Sequence, residues 1–152
     1  MTKVLNIWGG DIIRRIDCEF HYQINCPYCD RFNKYVLEPL EMLGYIRVRR
    51  VCVDLHRDSP SMKFNMWFTS QVQTFVPTRI TTPLLIVYQG KGERVGKMVF
   101  GVYISAEQTG TVEKEVSYMA REFIEYLCRR LGIPKDWLFE MCPLIKMACE
   151  GK

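Results

Sequence analysis

Residues 17–44 read DCEFHYQINCPYCDRFNKYVLEPLEMLG, a strand-like run over 17–24 followed by a helix-like run that opens at Cys26. Apolar side chains recur at helical spacing along one face of the second run, at Tyr28, Cys29, Phe32, Val36, Leu37, Leu40 and Leu43. Gly44 follows as a helix terminator. Pro39 predicts a kink, because proline removes a helical hydrogen bond and crowds the preceding turn. The stretch therefore predicts a strand, a pair of cysteines and a helix in succession.

The pair Cys26 and Cys29 lies where this helix is expected to begin. Pro27 suits the first helical position, since its missing N–H costs nothing there. Cys26 is then the N-cap, where free backbone N–H groups and the helix dipole stabilise a thiolate and lower its pKa from about 8.5. Cys29, about 5 Å away, could attack a mixed disulfide formed by Cys26. The spacing therefore predicts thiol–disulfide exchange, with Cys26 as nucleophile and Cys29 as resolving thiol.

Other uses of a C-x-x-C pair remain open at this point. Zinc sites have the same spacing, but they need two further ligands, and the candidates Cys18, His21, Cys52 and His56 have no paired ligand spacing. A metal or iron–sulfur site could use Cys26 with Cys18, with Cys29 or with a thiol of another chain. The pair could also be two core thiols that never react, in a domain that serves only to bind a partner.

The composition fits one domain with an ordinary core, since 152 residues include 48% hydrophobic and 25% charged residues. The net charge of +4 is spread over short clusters such as Arg129-Arg130, so nucleic acid is not an expected partner. Seven cysteines, an odd number, argue against a secreted disulfide framework. The chain shows neither an export signal nor an 18-residue apolar run, so we expect no membrane partner and a cytoplasmic location.

The stretch Cys26-Pro27-Tyr28-Cys29 resembles the active site of glutaredoxins, within the thioredoxin-like superfamily. The resemblance implies an α/β, thioredoxin-like fold with a central mixed sheet flanked by helices. It implies a redox-active Cys26–Cys29 disulfide with no metal and no dissociable cofactor. The expected partners are a disulfide-containing protein substrate and, as electron donor, a reductase or a small thiol.

The resemblance also implies a cis-proline that precedes a strand and faces the two cysteines. Pro83 fits, because the apolar run 84–88 comes directly after it. Val76-Pro77-Thr78 is a competitor, but the polar residues Arg79, Thr81 and Thr82 interrupt the segment after it. We therefore expect Pro27, Tyr28, Thr82 and Pro83 to bind substrate, with the backbone of Thr82 pairing with an extended segment.

Two family features have no clear match in this chain. Glutaredoxins commonly have a Lys or Arg shortly before the first cysteine and a Gly-Gly-acid sequence later, whereas this chain has Gln23-Ile24-Asn25 and Gly90-Lys91-Gly92-Glu93. Glutathione thus stays an open candidate ligand. The buried acid that thioredoxins place before the dithiol is also unmatched, because Phe20 occupies that neighbourhood. Glu19 and His21 are candidate proton carriers, although we expect side chains near a strand end to be solvated.

The rest of the chain follows the family order over a core of about 16–132, in a single domain spanning 1–152. A strand over 45–54 completes a parallel β-α-β unit, strands 84–88 and 94–102 form a hairpin, and a helix covers 112–131. Three additions are expected: the first 15 residues, a helical insertion within 56–80, and a C-terminal helical extension over 133–152.

The insertion and the extension each carry an apolar cluster. The inserted helix begins near Ser59-Pro60 and contains Met62, Met66, Trp67 and Phe68, which predict either core packing or an exposed surface for a protein substrate. The extension is expected to pack back onto the domain or to bind a partner, through Trp137, Leu138, Met141, Leu144, Ile145 and Ala148. Cys142 and Cys149 lie two helical turns apart, too far to form a disulfide.

Overall fold

The computed structural model describes residues 15–55, 58–72, 80–88, 98–104 and 110–152. The elements in chain order are β1 (Ile16–Tyr22), α1 (Pro27–Phe32), a π-helical segment (Asn33–Leu37), α2 (Glu38–Met42), β2 (Ile46–Cys52), α3 (Pro60–Val72), β3 (Leu84–Tyr88), β4 (Met98–Tyr103), α4 (Val112–Leu131), α5 (Lys135–Met141) and α6 (Pro143–Glu150). The chain is therefore α/β, as expected. Within these ranges no helix combines the length and the apolar character needed to cross a membrane.

A four-stranded mixed sheet has the order β2-β1-β3-β4. Strands β1 and β2 are parallel, with Ile16 opposite Ile46, which confirms the expected β-α-β pairing. Strand β3 is antiparallel to both β1 and β4, which confirms the pairing of the predicted hairpin strands. The hairpin turn and residues 94–97 lie outside the described residues, as do the N-terminal addition up to residue 14 and residues 56 and 57.

The larger apolar cluster lies between one face of the sheet and helices α1, α4, α5 and α6. Alternate residues of β1 face it, because side chains of a strand point to opposite faces in turn. Among them, Phe20 contacts Phe32 of α1, with ring centroids 5.8 Å apart, and Phe32 in turn contacts Phe123 of α4 at 6.3 Å. The smaller cluster includes Phe64 and Phe68 of α3 together with side chains of β3.

The helical run over 27–42 passes through Pro39 without a break. Its irregularity lies just before the proline, in the π-helical segment, where the N–H of Glu38 bonds to the carbonyl of Asn33. The irregularity predicted for this helix therefore takes the form of a wider turn just before Pro39. The predicted terminator is confirmed, since Gly44 has a φ of +83° that favours glycine.

Helix α3 begins where Ser59 and Pro60 predicted, and the Ser59 hydroxyl accepts a hydrogen bond from the N–H of Met62 at 3.1 Å. The apolar residues of this helix divide between the two interpretations. Met62 and Phe68 are buried, whereas Met66 and Trp67 are exposed. Core packing therefore accounts for two of these four residues, and the other two form exposed apolar surface.

The C-terminal extension forms two helices, because Pro143 starts a new helix directly after α5 ends. Leu138, Ile145 and Ala148 are fully buried, which confirms that the extension packs back onto the domain. Arg121 of α4 fixes the end of α6 by donating to the carbonyl of Cys149 at 2.8 Å. The other apolar residues predicted for this extension are exposed, namely Trp137, Met141 and Leu144.

Candidate functional site

Cys26 is the N-cap of α1, as predicted, with extended backbone angles of −108° and 102°. Pro27 occupies the first helical position. The sulfur of Cys26 accepts a hydrogen bond from the N–H of Cys29 at 3.1 Å, so it satisfies a backbone donor that the helix leaves unpaired. A charge on this sulfur would be stabilised by the same donor and by the helix dipole.

Cys26 and Cys29 are joined as a disulfide, with Cα atoms 5.2 Å apart. Their surroundings differ, because Cys26 is partly exposed whereas Cys29 is only 1% exposed. Pro27 between them is exposed and Tyr28 is partly buried. Of the two cysteines, Cys26 is therefore the more accessible to solvent.

A cavity of about 170 Å³ reaches Cys29 from the β2 side, lined by Phe20, Tyr22, Cys29, Asp30, Asn33 and Arg50. The guanidinium of Arg50 is held by two bonds of 2.8 Å, to the amide oxygen of Asn33 and to the carboxylate of Glu41. Cys29 thus belongs to the larger apolar cluster and also adjoins a small cavity with polar side chains on one side.

Pro83 follows a cis peptide bond from Thr82 and directly precedes β3, as the resemblance implied. Leu84 pairs with His21 near the end of β1, which brings Thr82 to the sheet end from which the chain runs into Cys26. The hydroxyl of Thr82 donates to the side-chain oxygen of Gln23 in that connection. The competing Val76-Pro77-Thr78 lies outside the described residues.

Glu19 and His21 are buried, 3% and 0% exposed, so the expectation that they are solvated is wrong. They contact each other at 2.8 Å, and His21 also contacts Asn65 of α3 at 2.8 Å. They lie on the opposite face of β1 from Phe20, which packs in the cluster that includes Cys29. The structure thus places both candidate proton carriers away from the two sulfurs.

Asn65 and Thr81 belong to this polar group and were not singled out from the sequence. Asn65 lies in the middle of α3 and Thr81 precedes the proline segment, so 16 positions separate them. No spacing rule joins such residues, because their contact arises only when α3 packs on the sheet. A polar residue in a helix interior flanked by Phe64 and Phe68 was the one available signal.

The remaining five cysteines are free, including Cys142 and Cys149, whose predicted failure to pair is confirmed. Burial raises the pKa of the Cys18 thiol far above its usual range, and it raises that of Cys149 to about 11. Burial raises the pKa of Cys128 as well. These three thiols are therefore protonated at neutral pH and are poor nucleophiles.

Among the described residues, no three His, Cys, Asp or Glu side chains are grouped so that they could hold a metal ion. Of the candidate zinc ligands, Cys18 and His21 point to opposite faces of β1, and His56 lies outside the described residues.

The chain matches no protein-family model, no curated protein and no solved structure. Its function must therefore be inferred from its own residues. The residues that the structure brings to one sheet end are Cys26 and Cys29 at the start of α1, with Thr82 and Pro83 before β3.

Proposed function

We propose that this chain is a thiol–disulfide oxidoreductase of thioredoxin-like fold that acts on protein disulfides through Cys26 and Cys29. The observation that carries the proposal is the hydrogen bond from the Cys29 N–H to the Cys26 sulfur at a helix start. A sulfur in that position is favoured as a thiolate, and the thiolate is the nucleophile in disulfide exchange. Cys29 lies close enough to displace whatever Cys26 captures.

The reaction begins with both cysteines reduced. The Cys26 thiolate attacks one sulfur of a substrate disulfide, forming a mixed disulfide and releasing the other substrate sulfur as a thiolate, which takes up a proton from solvent. The Cys29 thiol then loses its proton and attacks the Cys26 sulfur. The Cys26–Cys29 disulfide forms as the bond between Cys26 and the substrate breaks, and the second substrate sulfur leaves as a thiolate that takes up a proton in place of the one that Cys29 lost. Two electrons pass to the substrate, and a reductase or a small thiol must return them.

The architecture supports this proposal through features that the resemblance implies. The sheet is mixed, β1 and β2 are parallel, and β3 follows a proline at the sheet end that leads to Cys26. Among the described residues, the main-chain N–H and C=O of Thr82 form no hydrogen bond. We propose that an extended substrate segment pairs with these two groups, as a strand adds to a sheet edge.

The proposed partners are a disulfide-containing protein and an electron donor, which is a reductase or a small thiol. Five unpaired cysteines fit a reducing compartment, which favours the cytoplasm. Glutathione is one candidate among the small thiols, although the chain lacks the family residues expected to bind it. The Cys26–Cys29 disulfide is the redox group, so the proposed mechanism uses neither a metal nor a dissociable cofactor.

Reduction of insulin by dithiothreitol tests the proposal. The wild-type protein is expected to accelerate it, and Cys26→Ser is expected to remove the acceleration entirely, because it removes the nucleophile. Cys142→Ser is a matched control, since Cys142 is partly exposed, caps α6 and precedes a proline. If wild type and Cys26→Ser are equally inactive, the proposal fails and the domain is one that binds without turnover.

A further inference from the structure

A chain of buried polar side chains crosses the face of the sheet that packs against α3. It consists of Glu19 and His21 of β1 and Asn65 of α3, which are 3%, 0% and 0% exposed. A buried polar group is costly unless it is hydrogen-bonded, and few positions in a core carry one. The hydrogen bonds that these three side chains make therefore show which part of the structure they hold in place.

Asn65 binds the main chain of Thr81 with two hydrogen bonds. Its side-chain oxygen accepts from the Thr81 N–H at 2.8 Å, and its side-chain nitrogen donates to the Thr81 carbonyl at 2.8 Å. A backbone N–H can only donate and a carbonyl can only accept, so the orientation of the amide is fixed. The side chain of Thr81 is held too, through a contact of 2.7 Å between its hydroxyl and that of Thr69.

The orientation of Asn65 in turn fixes the proton on His21. The Asn65 nitrogen donates to Nδ1 of His21 at 2.8 Å, so Nδ1 carries no proton. The proton lies on Nε2, which donates to Oε2 of Glu19 at 2.8 Å. Arg49 of β2 lies at the far end, with its Nε 4.0 Å from Oε1 of Glu19. Every bond from Glu19 to Thr81 thus has one allowed direction.

The chain of bonds ends beside the proposed substrate segment. Thr81 is followed by Thr82 and Pro83, and the Thr82 hydroxyl donates to Gln23 in the connection that leads to Cys26. Residues 81–83 are therefore held from α3 on one side and contact the dithiol connection on the other.

We propose that His21 and Asn65 are positioning residues that fix residues 81–83 so that the main chain of Thr82 can pair with an extended protein substrate, and that Glu19 holds the His21 proton on Nε2 so that Nδ1 can accept from Asn65. This role rests on the proposed function, because it concerns how that site receives its substrate. The three residues lie behind the segment, so they act through Thr81 rather than on the reacting sulfurs. A small disulfide, which needs no main-chain pairing, should be insensitive to them.

Two substitutions at His21 separate its two bonds. His21→Asn places a side-chain oxygen where Nδ1 lies, so it can still accept from Asn65, but it is too short to reach Glu19. His21→Gln places an amide nitrogen where Nε2 lies, so it can still donate to Glu19, but it loses the bond to Asn65. Both variants are polar and each removes one bond. Ser70→Ala, at an exposed residue of α3, is the control for changes in the helix. Urea unfolding establishes that each variant is folded.

The KM for insulin, with dithiothreitol as electron donor, is the main measurement. His21→Gln should raise it about tenfold with kcat changed less than about twofold, a factor typical of one lost hydrogen bond. His21→Asn should stay within about twofold of wild type. Rates with 5,5′-dithiobis(2-nitrobenzoate), a small disulfide, should be alike for all variants. Equal insulin KM values for the two His21 variants, with an active wild type, would overturn the positioning role and leave the proposed function intact.

The two hydrogen bonds by which Asn65 holds the main chain of Thr81 form a clamp. Hydrogen exchange at the Thr81 amide tests this clamp without an activity measurement. This amide should exchange about tenfold faster in His21→Gln than in His21→Asn, and faster still in Asn65→Ala, while the Leu85 amide in β3 keeps its wild-type rate. Equal Thr81 rates in all four proteins would overturn the clamp. An inactive wild type with the expected exchange pattern would instead overturn the proposed function, and the substrate role with it.

Discussion

Two cysteines of this chain occupy the N-cap position of a helix and precede a proline, but only one of them accepts a hydrogen bond at its sulfur. The Cys26 sulfur accepts the N–H of Cys29, whereas the Cys142 side chain makes no capping bond at the start of α6. Both residues are partly exposed, so access alone does not distinguish them. Because a hydrogen-bond donor stabilises a thiolate, reactivity should follow this bond rather than the Cys-Pro sequence.

Alkylation of the reduced protein at pH 6 should therefore be selective. Iodoacetamide is expected to modify Cys26 at least about tenfold faster than Cys142, since a larger fraction of Cys26 is thiolate at that pH. Cys29, Cys18, Cys52 and Cys149 should be protected, because each is no more than 5% exposed. Peptide mass mapping over time gives the separate rates, and protein unfolded in urea is the control. Equal rates for Cys26 and Cys142 in the folded protein would contradict the assigned role of the capping bond.

The sequence predicted the position of Cys26 at the start of α1, but it did not predict that Glu19 and His21 are buried on the opposite face of β1. Pro27 predicts the position of Cys26 because proline has a strong preference for the first helical residue. The contacts of His21 depend on Asn65, 44 positions later, and thus on how α3 packs. Solvation is the usual state of a charged side chain near a strand end, and here tertiary packing overrides that expectation.

The elements at the C-terminus show how a broken amphipathic pattern still contributes to the core. Pro143 divides the extension into α5 and α6, and each helix buries part of its apolar face against the rest of the larger cluster. Leu144 and Ile145 are neighbours in α6, yet Ile145 is fully buried and Leu144 is 40% exposed.

Substitution of these two residues by alanine should have different effects on stability. Ile145→Ala is expected to lower the free energy of unfolding by about 2–5 kcal/mol, because it removes buried methyl groups and leaves a cavity. Leu144→Ala should lower it by less than about 1 kcal/mol. Urea denaturation followed by circular dichroism measures both. Similar losses for the two variants would show that α6 does not pack on α4 in the orientation described.

Element boundaries could be predicted where a residue has a strong local preference. Ser59 and Pro60 mark the start of α3, and Gly44 and Gly132 end helices with positive φ angles of 83° and 70°. The π-helical segment before Pro39 could not be predicted, because proline signals an irregularity without fixing its form or its exact turn.

At the scale of the whole molecule, burial raises the pKa of several acidic groups that lose a proton only at alkaline pH. They are the thiols of Cys18, Cys128 and Cys149 and the hydroxyls of Tyr45 and Tyr88. In each case the folded chain favours the neutral form more than the unfolded chain does. Their contribution to stability is thus complete below the unfolded pKa, and it is lost as pH rises through the folded pKa.

The free energy of unfolding should consequently fall as pH rises above about 9. For Cys149, whose pKa rises from 9.0 to about 11, the loss by pH 11 is expected to be about 2 kcal/mol. Cys149→Ala should reduce the slope of stability against pH between these values, and Cys142→Ala should not. Urea midpoints at pH 8, 9, 10 and 11 measure the slope. An unchanged slope in Cys149→Ala would mean that the Cys149 thiol titrates normally in the folded protein.

Trapping the mixed disulfide would show whether Cys26 attacks a substrate disulfide and Cys29 resolves the product. The reduced Cys29→Ser variant is mixed with insulin whose disulfides are intact, and the reaction is quenched with acid. The cross-linked peptides are then identified by mass spectrometry. A covalent complex through Cys26 that dithiothreitol releases is expected, and no complex is expected with Cys26→Ser. Absence of any complex, or one formed through Cys128 or Cys142 instead, would contradict this role of Cys26.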